Sequence, residues 1–355
     1  MNARNIALLL TATCLVPVQA FGWGASGHHM IGELGAKALP DEVPAFVRTP
    51  QSVAFIAELA REPDRWRDAG LVHDRERDPG HFVDATDDGH VYEGGPSLKA
   101  LPPTREDYDT AVRATTSFWA RDPKDKHTQY TAGYLPYSII DGWQQLVRDF
   151  AFWRIDVAGE KFAKTDADRA WFTQDRILRE GLTVRDLGVW AHYVGDASQP
   201  LHVSMHYNTW GPFPNPENFT QTPGLHSKFE SAFVHYNITE ADVVPLMVPY
   251  RDCACAIDVR TADYLMTSLG FVIPTFRLDK VHGFDKPAEG AAVNPDAKAF
   301  AAARLAAGAA ELRDMIIDAW RASATAKVGY KGAIDVQKVE AGEIDTALAE
   351  MMGKD

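Results

Sequence analysis

The reading of this chain starts from His192-Tyr-Val-Gly-Asp196-Ala-Ser-Gln-Pro200-Leu-His202 and, past an aromatic and proline-rich loop, His226-Ser-Lys-Phe-Glu230. His192 and Asp196 stand four residues apart, so a helix puts both on one face; His226 and Glu230 repeat the spacing. Pro200 ends the first helix, and His202 follows where the chain can turn a side chain back. A single His-x3-Asp pair is usually a surface ion pair. Two such pairs joined by Pro-Leu-His in one short window point instead to a metal cluster. Imidazole together with carboxylate is the donor mixture that zinc accepts, unlike an all-oxygen cage.

Outward from this stretch, helical periodicity dominates and strand alternation is scarce. The spacing predicts helices over about 26–39, 51–62, 106–121 and 136–163. In the last of these Ile139, Ile140, Trp143, Leu146, Phe150 and Trp153 form a wide apolar face. Two further runs, separated near Gly181, are expected between 167 and 198, and others over 224–236, 257–275 and 295–325. The final one is alanine-rich from Ala299 to Ala310 and helical by intrinsic propensity. Residues 68–98 read as a polar loop and 326–355 as a polar, loosely docked tail. The expectation is one all-α domain spanning 23–325.

The chain has 355 residues, 46% hydrophobic and 24% charged, which suits a globular protein with a sizeable core. Its formal net charge of −13 argues against gripping long duplexes by counterion release. That sum omits any bound cation, so phosphodiester chemistry through metals stays open. Residues 1–22 have the features of a signal peptide: Arg4, an apolar Ile6–Val18 core, then small residues. Cleavage after Ala20 or after Gly22 satisfies the small-residue rule, and the second leaves Trp23 at the mature N-terminus. A secreted or periplasmic protein with no transmembrane anchor is expected. Cys14 leaves with the signal, while Cys253 and Cys255 could close a small ring or stay reduced.

Other polar clusters could complete the donor set. Trp23-Gly-Ala-Ser-Gly-His28 places a histidine near the new N-terminus, where a free α-amino group is itself a ligand. Pro63-Asp64-Arg-Trp-Arg67 and Gly80-His81-Phe82-Val83-Asp84 are the remaining candidates. By spacing alone Asp64 is an ordinary surface acid and His81 a loop histidine.

Taken together, Trp-Gly-x-x-Gly-His, Pro-Asp-x-x-Arg, His-Phe-x-Asp, His-x3-Asp-x5-His and His-x3-Glu stand here in one order. That order resembles the superfamily of bacterial zinc-dependent phospholipases C and S-one/P-one single-strand nucleases. The resemblance runs from Trp23 to about Glu230 and implies three zinc ions. Asp64, His81, His192 and Asp196 would hold the first. The α-amino and carbonyl groups of Trp23, with His28 and a shared Asp196, would hold the second. His202, His226 and Glu230 would hold the third. The implied activity is hydrolysis of phosphoric diesters by a zinc-activated water. Asp64 and Asp196 then serve catalysis as well as ligation, and Arg67 contacts phosphate with its planar fork.

The substrate signals are mixed. Glu230 within Gly224-Leu-His-Ser-Lys-Phe-Glu-Ser-Ala-Phe resembles the phospholipase form, and the loop Met205–Phe219 could touch a lipid interface. Arg67 resembles the nuclease choice, and Phe82 and Asp84 match nuclease positions that stack on and hydrogen-bond a base. A phospholipase C acting on glycerophospholipids is the favoured expectation. The alternative is an endonuclease and 3'-nucleotidase degrading single-stranded DNA and RNA; a non-catalytic zinc-binding relative is a further one. No stable protein partner is implied.

Overall fold

The computed structural model describes residues 23–115, 129–289, 291–343, 345 and 347–354. The expected signal peptide, Cys14 and the later part of the expected 106–121 helix lie outside them. The described chain is all-α as expected, with one two-stranded exception near its end.

Two long helices form the spine. Helix α3 (Leu135–Phe162) begins with Pro136 in its first turn, where a missing N–H loses nothing. Helix α4 (Asp166–Asp196) follows a short turn and packs along α3. The Thr165 hydroxyl caps α4 by accepting from the Asp168 N–H at 3.0 Å. The expected break at Gly181 is absent, and α4 runs through it unbroken. A glycine lowers helix propensity without preventing a helix held by tertiary contacts. A Cβ at Gly181 would meet nothing within 4 Å, so the helix faces open space there.

Helices α1 (Gly24–Lys37) and α2 (Pro50–Leu59) cover one side of this spine. Gly188 of α4 sits where an added Cβ would lie 2.6 Å from Leu59 Cβ, so the two backbones approach closely only because it is glycine. Farther on, α5 (Ile257–Leu269) and α6 (Val272–Lys280) stand where one helix over 257–275 is expected. The chain turns at Gly270, whose N–H closes α5 on the Met266 carbonyl at 3.3 Å. The long α7 (Pro295–Ser323) packs on both α1 and α3 and buries Leu305, Leu312, Met315 and Ile316. Asn294 caps it, accepting from the N–H groups of Asp296 and Ala297 at 3.0 Å.

Two expectations about irregular regions need correction. The polar loop 68–98 contains a short helix, Leu71–Arg77, and a 3₁₀ turn, Asp78–His81. The tail after 325 is docked rather than loose. Its strands Lys327–Val328 and Ile334–Asp335 pair antiparallel, and Val328, Ile334, Val336, Val339 and Leu348 form a second core with Ile155, Ala158 and Phe172. The tail's few apolar residues are spaced too irregularly to read as a helix face, yet Val328, Ile334, Val336, Val339, Leu348 and Ala349 are buried. Among the described residues, no helix is long and apolar enough to cross a membrane.

Candidate metal centre

The end of α4 organises the site. Its last turns are buried on the side carrying Ala191, His192, Val194, Gly195 and Asp196, so the i,i+4 pair faces inward and not to solvent. The helix stops where Gln199 and Pro200 enter a 3₁₀ turn, Pro200–His202, and the Gln199 side-chain oxygen accepts the Leu201 N–H at 2.7 Å. That turn swings His202 back beside Asp196.

Asp196 is fully buried, and each of its two oxygens stands near a different pair of histidines. Oδ1 stands 3.3 Å from His28 Nε2 and 3.5 Å from His202 Nδ1. Oδ2 stands 3.2 Å from His192 Nε2 and 3.3 Å from His81 Nδ1. A carboxylate placed in this way has the disposition of a bridge between two cations. Asp64 closes the cluster, its Oδ1 3.9 Å from His192 Nε2 and 4.0 Å from His81 Nδ1.

A second group lies beyond His202. His226 Nε2 is 2.7 Å from Glu230 Oε2 and 3.0 Å from His202 Nε2, and His202 Nε2 is 3.5 Å from Glu230 Oε2. The segment carrying His226 and Glu230 is α-helical at Leu225–Ser227, π-helical over Lys228–Phe233 and α-helical again at Val234–Asn237. π-Helical turns are rare and concentrate at functional sites. Gln199 completes this group, donating from Nε2 to Glu230 Oε2 at 2.9 Å.

Three sets of buried donors therefore converge: His28, Asp64 and His192; His81, His192 and Asp196; His202, His226 and Glu230. Within each set the ligand atoms lie within 4.8 Å of one another. Backbone carbonyls set the tautomers. His192 Nδ1 donates to the Ala60 carbonyl at 2.8 Å and His202 Nδ1 to the His81 carbonyl at 2.6 Å, which leaves both Nε2 lone pairs aimed into the cluster. Both nitrogens of His28, Nε2 of His81, Oδ1 of Asp64, both oxygens of Asp196 and Oε1 of Glu230 are buried without an aligned hydrogen bond. Buried polar atoms are ordinarily satisfied, and a concentration of exceptions on imidazoles and carboxylates fits metal ions as the missing partners.

Electrostatics agree. Burial lowers His81 to about 4 despite the opposing pull of Asp196. Burial, then His192, also lowers His28, so these two rings are neutral ligands at pH 7. Burial raises Glu230 to about 8 against His202 and Gln199. Burial opposes ionisation of Asp64 and Asp196 too, but His192 before all others outweighs it and holds both below the usual carboxylate range.

The other expected site residues fall around this core. Trp23 is fully buried, its indole N–H donating to Ser198 Oγ at 2.7 Å and its carbonyl accepting the His28 N–H at 3.1 Å. Arg67 reaches towards Asp64 Oδ1 at 3.7 Å and Asp78 Oδ1 at 3.3 Å. A cleft of about 360 Å³ opens here, lined by Gly24, Asp64, Asp68 and three arginines: Arg61, Arg65 and Arg67. Phe82 is half-buried and Asp84 is 1% exposed. In the aromatic loop expected to face lipid, Trp210 and Phe219 turn inward while Tyr207 stays exposed. Trp210 and Phe219 pack on Phe276, and His206 stacks on Trp210 at 3.9 Å.

Reading by motif passed over several contributors. Gln199 and Ser198 lie inside the opening stretch but carry no metal-ligand signal. The Ala60 carbonyl has no side-chain signature at all. Arg61 and Arg65 flank Asp64 and are paired with Glu58 and Glu62. A scan against models of known protein families finds no match, and neither does a search of curated proteins.

Proposed function

We propose that the protein is a hydrolase of phosphoric diesters that works with metal ions, zinc by its donor chemistry, held in the three buried groups. The carrying observation is Asp196, whose two oxygens each face two histidines while lacking an aligned hydrogen bond. In this reading His28, Asp64, His81, His192 and Asp196 hold a close pair of ions, with the α-amino group of Trp23 added on cleavage, and His202, His226 and Glu230 hold a third. Bound cations would polarise a phosphoryl oxygen and activate a water. Asp64, ionised at neutral pH and set in the cleft wall, receives the proton. Arg67 orients the phosphate through its guanidinium.

The favoured substrate is a glycerophospholipid, a phospholipase C reaction. That preference rests on the resemblance of the Gly224–Phe233 segment, and the inward turn of Trp210 and Phe219 weakens the lipid-contact argument. A second reading, cleavage of single-stranded nucleic acid, draws support from Arg61, Arg65 and Arg67 around the cleft. The deciding experiment assays the zinc-loaded mature protein on a chromogenic phosphodiester, phosphatidylcholine micelles and single-stranded DNA. Chelator-sensitive turnover is expected on the chromogenic ester and on one natural substrate. Full metal occupancy with no turnover on any of the three would sink the enzyme reading and leave a zinc-binding protein.

A further inference from the structure

Cys253 and Cys255 form a disulfide with Cα atoms 5.1 Å apart, closing a ring around the single residue Ala254. We propose that this bond is a redox-active site that exchanges with low-molecular-weight thiols, independent of the metal centre. Its structural role is slight. A cross-link spanning one residue removes little entropy from the unfolded chain. The segment leading into the loop is also fastened without it. Arg313 Nη1 donates to the Val248 carbonyl at 2.8 Å, Tyr250 Oη to Asp318 Oδ1 at 2.7 Å, and the Arg251 N–H to Asp314 Oδ2 at 3.1 Å. Arg260 Nη1 closes the set on the Arg251 carbonyl at 3.2 Å, from a guanidinium that is 2% exposed and also paired with Glu311, Asp314 and Asp318.

Three features favour exchange. Cys255 is exposed and Cys253 half-buried, so an incoming thiolate has access. Ala254 is held at φ +49°, a left-handed conformation that a residue with a Cβ adopts at a cost, and ring opening leaves only its N–H bond to Asp252 Oδ1, at 2.8 Å, to keep it there. Cys255 lies two residues before α5, whose N-cap residue Ala256 supplies no side-chain cap. The unsatisfied N–H groups there favour a thiolate, with Asp258 in the first turn working against them.

The exchange balances without another reactant. A thiolate attacks one sulfur, the Cys253–Cys255 bond breaks as a mixed disulfide forms, and the released cysteine thiolate takes a proton from water. A second thiol molecule displaces the first as a symmetric disulfide, leaving two cysteine thiols; two electrons pass to the protein. The test incubates the folded protein with millimolar reduced glutathione, quenches with a maleimide and maps the adducts by peptide mass. Expected are two adducts, on Cys253 and Cys255, within minutes. Oxidised glutathione added before the quench should re-form the disulfide and prevent the labelling, and circular dichroism and Tm should be unchanged in both states. The double variant C253S/C255S should keep the same Tm and take no label at either position. A bond that yields only in denaturant, that does not re-form, or whose reduction unfolds the protein overturns the proposal.

Discussion

Gln199 holds Glu230: its side-chain amide donates to Oε2 at 2.9 Å while its carbonyl oxygen caps the turn that carries His202. One neutral side chain thus orients two members of the same donor group. Partners of this kind typically change metal affinity by about 10- to 100-fold when removed. Gln199→Ala should weaken the His202, His226 and Glu230 group by that factor, read by competition with a chromogenic chelator. Unaltered affinity would show that the contact orients nothing.

Asp196→Asn should be the most damaging single ligand change. Its two oxygens stand near different pairs of histidines, so one substitution is expected to weaken more than one ion. Metal analysis of the purified variant should show a loss of more than one equivalent relative to wild type. A variant retaining the full complement would contradict the bridging role.

Processing should matter to the site. Trp23 is buried against Ser198 and Phe229 directly before the helix bearing His28, so cleavage before it would place the new chain end next to that helix. A mature form that keeps Phe21-Gly22 is expected to bind one metal fewer and to lose activity. Full occupancy and activity in that form would exclude the α-amino group as a ligand.

Away from the metals, Asp156 offers a test of pH dependence. It is fully buried on α3 with neither oxygen hydrogen-bonded, and burial, then the neighbouring Asp175, pushes its carboxyl up to about 8. In the unfolded chain it ionises near the ordinary aspartate value of about 3.9. Between these values the folded state retains a proton that the unfolded state releases. Its contribution to stability is therefore present below about pH 4, falls as pH rises and levels off above about 8. Asp156→Asn should match wild type near pH 4 and exceed it by about 1–3 kcal/mol at pH 8. Urea midpoints at the two values check this, and equal midpoints at pH 8 would refute it.

The sequence by itself determined the helical class, because 3.6-residue periodicity is a local property, and it determined the pairs His192–Asp196 and His226–Glu230, because four residues bring side chains onto one face. It also placed His202 past the proline that ends α4. Tertiary structure decided the rest. Asp64 and His81 look like ordinary polar residues until α4 is packed beside them; only then do their side chains meet His192. Gly181 read as a break because propensity was weighed without the packing of α4 on α3. The aromatic loop read as an outward surface because apolar composition does not say which way a ring points, and Phe276, far along the chain, turned Trp210 and Phe219 inward. The docked tail and the clamp on the Cys253–Cys255 loop share that origin. A motif records what one helix turn brings together, whereas a site drawn from several segments exists only once burial of the apolar faces has fixed where they cross.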